Sequence, residues 1–401
     1  MASRIKANTQ NLLPGITDDV TIMEITTKLS WRDFYVLALV SRDWCQTIRS
    51  RRVYNARVLH RSTETLVLLN VSREDDDGPL HNVIALYSMR DNFCCKLPPI
   101  PNVDEGFPPS CEAVALDGKI YVMGGLISYP CVSGEVYVLD LVGQRQWKRC
   151  ANLTRPRFDF GGGVMDGKIY IFGGCGPSTY DCDDGETPIR GSEVYDPEQN
   201  TWCKISPMTR RVHADQADIA AEELLVTALL KCGGYYFRDY FQDKNNPKFA
   251  KFLEVYDPAK DKWRKLPCSW TVTSATLFMA QGKLYEMRLR GDYGIQVHDT
   301  HANSWTRVHK STFVSNGFVD GVESTKIDPM AVLAVKDELL AVGWWDDFDM
   351  DTNGWCLARG KGLGSNTEEI SFQNALELTL SLKDLQGWKN EAEFRMQSFE
   401  V

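Results

Sequence analysis

Asp117-Gly118-Lys119-Ile120-Tyr121-Val122-Met123-Gly124-Gly125 returns 49 residues later as Asp166-Gly167-Lys168-Ile169-Tyr170-Ile171-Phe172-Gly173-Gly174, and this near-copy decides the fold. The Asp-Gly pair supplies the positive-φ positions of a tight hairpin turn, and the apolar run after it reads as a strand. Fainter copies begin at Ala221, Gln281 and Lys336. A second element keeps step with the first. Glu193-Val194-Tyr195-Asp196-Pro197 leads to Trp202, Glu254-Val255-Tyr256-Asp257-Pro258 to Trp263, and Gln296-Val297-His298-Asp299 to Trp305. From the third residue of each run to its tryptophan the gap is 7. Repeats of roughly 40 to 60 residues that hold four such strands are propeller blades.

Trp147, Trp202, Trp263 and Trp305 each end a blade. Leu66 to Pro99 makes one before them, with Phe93 at the tryptophan position, and residues 311 to about 380 make a degenerate sixth. The expectation is therefore a mainly β propeller of six blades. Little sequence precedes Leu66, so an inner strand from between Ile370 and Val401 should close the ring. The arrangement of paired glycines, Tyr and Trp resembles the kelch repeat. That resemblance implies structural roles: Gly124, Gly125, Gly173 and Gly174 for close strand approach, Trp147, Trp202, Trp263 and Trp305 between neighbouring blades, and Tyr195 and Tyr256 in the repeat cores.

The first sixty residues differ. Ile22, Ile25 and Leu29, then Phe34, Leu37, Ala38, Trp44 and Ile48, recur at helical spacing, which predicts a small all-α unit over 1–60 ahead of a propeller over 61–401. Thr17 can cap a helix before Asp18 and Asp19, and Ser30 with Asp33 resembles a capping box. So small a unit cannot bury all its apolar side chains internally. Leu12-Leu13-Pro14-Gly15-Ile16-Thr17-Asp18-Asp19-Val20, Leu37-Ala38-Leu39-Val40-Ser41-Arg42-Asp43-Trp44 and Tyr54-Asn55-Ala56-Arg57 together resemble an F-box, with Thr17 where that family usually has proline. The resemblance implies binding to a Skp-type adaptor, and through it a cullin ring ligase, by Leu13, Pro14, Ile16, Val20, Leu29, Leu37, Val40 and Trp44.

Composition narrows the remaining classes. The chain has 401 residues with 45 Lys and Arg against 54 Asp and Glu, a net charge of −9, which suits neither a nucleic-acid backbone nor an anionic membrane. The longest apolar run, Phe34 to Val40, is far shorter than a bilayer crossing requires. No secretory leader is visible after Met1, so a cytoplasmic or nuclear location is expected. The 12 cysteines form no C-x-x-C pair and read as reduced thiols.

Candidate chemical sites dissolve on inspection. Asp349-Met350-Asp351-Thr352-Asn353-Gly354 begins like a calcium loop but has Gly360 where the bidentate Glu belongs. His298 and His301 sit at a repeat turn, and Gly360 to Gly364 lacks the strand and helix of a phosphate cradle. No catalytic residue, metal or cofactor is expected. Long, irregular loops are expected to gather on one face, at Leu126 to Gly134, Cys175 to Ser192, Gly233 to Lys251 and Trp344 to Asn353. Variable loops on a rigid ring are where partners are read. Arg155, Arg157, Arg210, Arg211, His213, Trp344 and Trp345 are the candidate target contacts on that face, being mostly of the types that dominate interface energetics.

The resulting reading is an interaction protein, resembling the plant-type substrate receptors of SCF ubiquitin ligases: the helices hold the adaptor, and the propeller holds a protein target for ubiquitination and proteasomal degradation. A propeller scaffold with a non-ligase partner is the alternative. A kelch-fold oxidase would need a leader and converging Tyr and His ligands, which the sequence does not supply.

Overall fold

Four capping side chains punctuate the N-terminal helices. The computed structural model describes residues 12–73, 81–103, 106–128, 131–143, 145–177, 187–209, 213–220, 223–230, 250–266, 275–288, 294–299, 304–314, 326–347, 352–361, 363, 369–377 and 392–401. α1 (Asp18–Val20) starts at Thr17, whose hydroxyl accepts the Val20 N–H, and runs on through a π turn (Thr21–Ile25) and a 3-10 turn (Thr26–Lys28). α2 (Trp31–Leu37) opens with a reciprocal box between Ser30 and Asp33, and α3 (Arg42–Ile48) with Ser41 accepting the Trp44 N–H. α4 (Arg51–Leu59) follows. Ile22, Phe34, Trp44, Ile48, Val53 and Ala56 form one small core between them.

The remainder is strands. β1 (Thr65–Arg73), β2 (His81–Ser88) and β3 (Phe93–Lys96) begin the first blade. The second is β4 (Glu112–Leu116), β5 (Lys119–Met123), β8 (Val136–Asp140) and β9 (Trp147–Arg149), with a hairpin of β6 (Leu126–Ser128) and β7 (Cys131–Val132) between β5 and β8. The third repeats this plan with β10 (Gly161–Met165), β11 (Lys168–Phe172), β14 (Ser192–Asp196) and β15 (Thr201–Ile205), and with β12 (Cys175–Gly176) and β13 (Thr187–Pro188) as its hairpin. The fourth is β16 (His213–Ala220), β17 (Glu223–Leu230), β18 (Ala250–Asp257) and β19 (Lys262–Leu266). As expected for tight hairpin turns, Asp117, Gly118, Asp166 and Gly167 all have positive φ.

Blade number departs from expectation: among the described residues the strands form five blades, not six. The strands read as a fifth and a sixth blade form one eight-stranded sheet, β20 (Ala275–Ala280), β21 (Lys283–Arg288), β22 (Gly294–Asp299), β23 (Ser304–Val314), β24 (Lys326–Val335), β25 (Glu338–Asp347), β26 (Thr352–Lys361) and β27 (Glu369–Glu377). The cause is β23, which runs well past Trp305. Its far end pairs with β24 at Val314↔Lys326 and in parallel with β27 over Lys310–Val314, so backbone hydrogen bonding never breaks there.

The ring closes through β28 (Ala392–Glu400), antiparallel to β1 from Arg73↔Ala392 to Thr65↔Glu400. This is the C-terminal strand that the sequence required but did not locate. Side chains then tie β28 sideways to the second blade and to the segment that enters the third. Arg395 donates to Glu112 at 2.6 Å, to the Phe160 carbonyl at 2.7 Å and to Asp159 at 3.0 Å, while Gln397 accepts the Ala115 N–H at 2.8 Å. Hydrogen bonds to charged groups are worth about 1.5–3 kcal/mol. Arg395→Ala should therefore lower unfolding free energy by about 2 kcal/mol in urea titration, with protease entry first at β28; unchanged stability would leave closure to the backbone ladder alone.

Successive turns of an antiparallel blade alternate between its two ends, so the β4–β5 and β2–β3 turns share one face of the ring and the β5–β8 and β11–β14 loops share the other. The helical unit docks on the short-turn face. Trp31 is buried in a core with Leu66, Leu68, Leu141 and Val142, Tyr54 packs against the same cluster, and Arg51 pairs with Asp117 in the β4–β5 turn. Arg32 lies over the Phe93 ring at 4.9 Å.

Candidate functional site: two interaction surfaces

In the interior of the ring, the repeat residues serve packing. Tyr195 and Tyr256 are buried, and their hydroxyls donate to Asn200 and Asp261 at 2.8 Å each. Trp147, Trp202 and Trp263 donate indole N–H bonds to Pro98, Ala151 and Ser206 carbonyls of the preceding connection, at 2.8, 2.9 and 2.8 Å. Trp305 packs beside Val255 and Leu284. These aromatics line a core, not a ligand box. Burial pushes the thiols of Cys95 and Cys111 up to about 11 and about 12, so neither is a ready thiolate at neutral pH. Among the described residues no group of three His, Cys, Asp or Glu side chains is placed to hold a metal, and no helix is long and apolar enough to cross a membrane.

The first surface lies on the helical unit. Pro14 is exposed, Ile16, Val20 and Val40 are 37%, 49% and 62% exposed, and Leu13, Leu29 and Leu37 are half-buried against the rim of the small core. Trp44 corrects the sequence assignment. It is 6% exposed inside that core, so it holds the helices together and is not itself a contact surface. Val36 and Leu39, at 63% and 87% exposed, were missed. For Val36 the signal was present: in α2, Phe34 and Leu37 face inward, which turns Val36 outward, whereas Leu39 and Val40 lie in the turn that follows the helix. Aliphatic side chains left this open around a small core make this a candidate protein-binding surface.

The second surface is the long-loop face, where the structure separates the candidates. Arg155 is exposed, and its guanidinium lies across Gly176, close to where a Cβ there would stand. Arg157 is 1% exposed and ion-paired with Glu193, and it donates to the Gly173 and Gly191 carbonyls at 2.9 and 2.7 Å. Burial pulls its pKa down and the Glu193 carboxylate opposes that pull. It is a strut under the loops, not a target contact. The backbones of Trp344 and Trp345 lie within β25, paired with Trp355 and Gly354 of β26, rather than in the long loop read from the sequence. His213 begins β16, whereas Arg210 and Arg211 lie outside the described residues. The hairpins β6–β7 and β12–β13 are packed together through Leu126, Phe158 and Cys175, which leaves Ile127, 70% exposed, on the same face as Arg155.

Comparison with known proteins agrees with this architecture. A family model described as "Kelch motif" matches residues 109–154 and 156–209, which are the second and third blades. The chain is 23% identical over 314 residues to an F-box/kelch-repeat protein of Arabidopsis thaliana, covering 76% of this chain and 81% of that one. A second such protein from the same plant is 24% identical over 90% of this chain and 84% of its own length. A third is 28% identical over 76% and 75%.

Proposed function

We propose that this F-box/kelch-repeat protein is the substrate-recognition subunit of an SCF-type cullin ubiquitin ligase, acting in the cytoplasm or nucleus. The observation that carries the reading is the outward apolar surface of residues 14–40, mounted on the face of the ring opposite its long loops. The unit over residues 1–60 binds a Skp-type adaptor with Ile16, Val20, Val36, Leu39 and Val40, and the propeller over 61–401 presents Arg155 and Ile127 to a target protein. The chain performs no bond chemistry of its own. It holds a target near the ligase's activated ubiquitin, and the gain is effective concentration.

Leu39→Asp with Val40→Asp in the full chain tests this. Both side chains are largely exposed, so the melting temperature should stay within a degree or two. Retention of a Skp-type adaptor should fall at least about thirtyfold, roughly 2 kcal/mol, because charge replaces apolar contact at the centre of the surface. Undiminished retention in a folded variant would overturn the assignment.

A further inference from the structure

The chain between the helices and the propeller is not a free tether. Glu64 lies in it, only 5% exposed. Its Oε2 accepts the Trp31 N–H of α2 at 2.7 Å and its Oε1 accepts the Ser88 hydroxyl at the end of β2 at 2.6 Å. Its backbone N–H and C=O both pair with Val401, directly after the ring-closing strand, at 2.8 and 2.9 Å. On the helical side, buried Arg57 donates to the Leu29 carbonyl at 2.8 Å and lies over Phe34 at 5.1 Å. Its positive charge, on α4, and the Glu64 carboxylate attract each other. One residue thus joins α2 and the first blade through its carboxylate, and the chain end after the closing strand through its backbone.

We propose that Glu64 is the positioning residue that fixes the angle between the helical unit and the propeller, and so sets which lysines of a bound protein ubiquitin can reach. A buried carboxylate must keep its donors. Trp31 belongs to one unit and Ser88 to the other, so any rotation between them takes a donor from Glu64. Holding both orients the outward apolar surface of the helices relative to the long-loop face. A loosened joint would spread the same reactive ubiquitin over a larger volume, and effective concentration would fall. The transfer arm of this proposal rests on the ligase reading above, whereas the geometric arm does not.

The test uses the full chain with spin labels on non-natural residues at Gln46 in α3 and Glu198 in the β14–β15 turn, both exposed. Wild type should give one narrow distance. Glu64→Ala should at least double its width and Glu64→Gln, which retains one acceptor oxygen, should widen it less. In a ligase reconstituted with a Skp-type adaptor and cullin, transfer to the chain's own lysines should become at least fivefold slower. The modified lysines should spread over more positions, with adaptor retention unchanged. A purely structural role would alter yield or melting temperature without moving that lysine pattern. If Glu64→Ala does not fold, the Gln variant decides. Widths and lysine patterns unchanged in a folded variant would overturn the proposal. A wild type that retains no adaptor would instead overturn the ligase reading and leave the distance measurement to judge the joint.

Discussion

Arg157→Ala should cost the propeller about 3–5 kcal/mol, as expected when one partner of a buried ion pair is removed. Among the described residues Glu193, 2% exposed at its side chain, would keep only the Thr154 N–H at 2.8 Å, and the Gly173 and Gly191 carbonyls would lose their shared donor. Replacing both charges at once, as Arg157→Met with Glu193→Gln, should recover much of the loss, because no buried charge is then left alone. Urea midpoints of the two variants decide the matter. If Arg157→Ala kept the wild-type midpoint and lost target capture, the side chain would be an exposed anchor after all.

Gly124→Ala should destabilise by about 3 kcal/mol or more, adding steric overlap to backbone strain. Gly124 has φ +64, and a Cβ there would stand 2.4 Å from the Arg157 carbonyl oxygen and 2.8 Å from the Phe160 ring. Neither neighbour can yield, since the carbonyl also accepts the Gly125 N–H at 3.0 Å and Phe160 is fully buried. Gly167→Ala is the contrast. It shares a positive φ of +69 but meets nothing within 4 Å, so only the conformational cost of about 1–2 kcal/mol applies. Thermal and urea unfolding of the pair should therefore differ clearly; equal losses would show that φ alone matters at the paired glycines.

What a residue does in this chain was legible wherever its role is local. The Asp-Gly turns, the Thr17 cap and the Ser30–Asp33 box depend on neighbours within a few residues, and all three form as the residue types dictate. The 7-residue step from Tyr195 to Trp202 puts both on adjacent paired strands, directly opposite each other, for the same reason. The need for a closing strand was likewise readable, since the first blade lacks an inner strand before Leu66.

Exposure was not legible, because it is set by partners distant in sequence. Arg155 and Arg157 are two residues apart and chemically identical, yet one is exposed and the other meets Glu193, 36 residues further along the chain on β14. Glu64 carries no motif at all, and its importance comes from Trp31, Ser88 and Val401 arriving at one point. The fusion of the last two repeats into one sheet turns on a parallel pairing between Lys310–Val314 and Glu369–Gln373, for which a strand pattern of period two contains no partner information. The sequence alone determined that this is a helical unit followed by a glycine-turned propeller. Only the tertiary structure decided which arginine is a strut, which aliphatic side chains face outward and how the two units are joined, because burial and pairing are properties of the assembled chain.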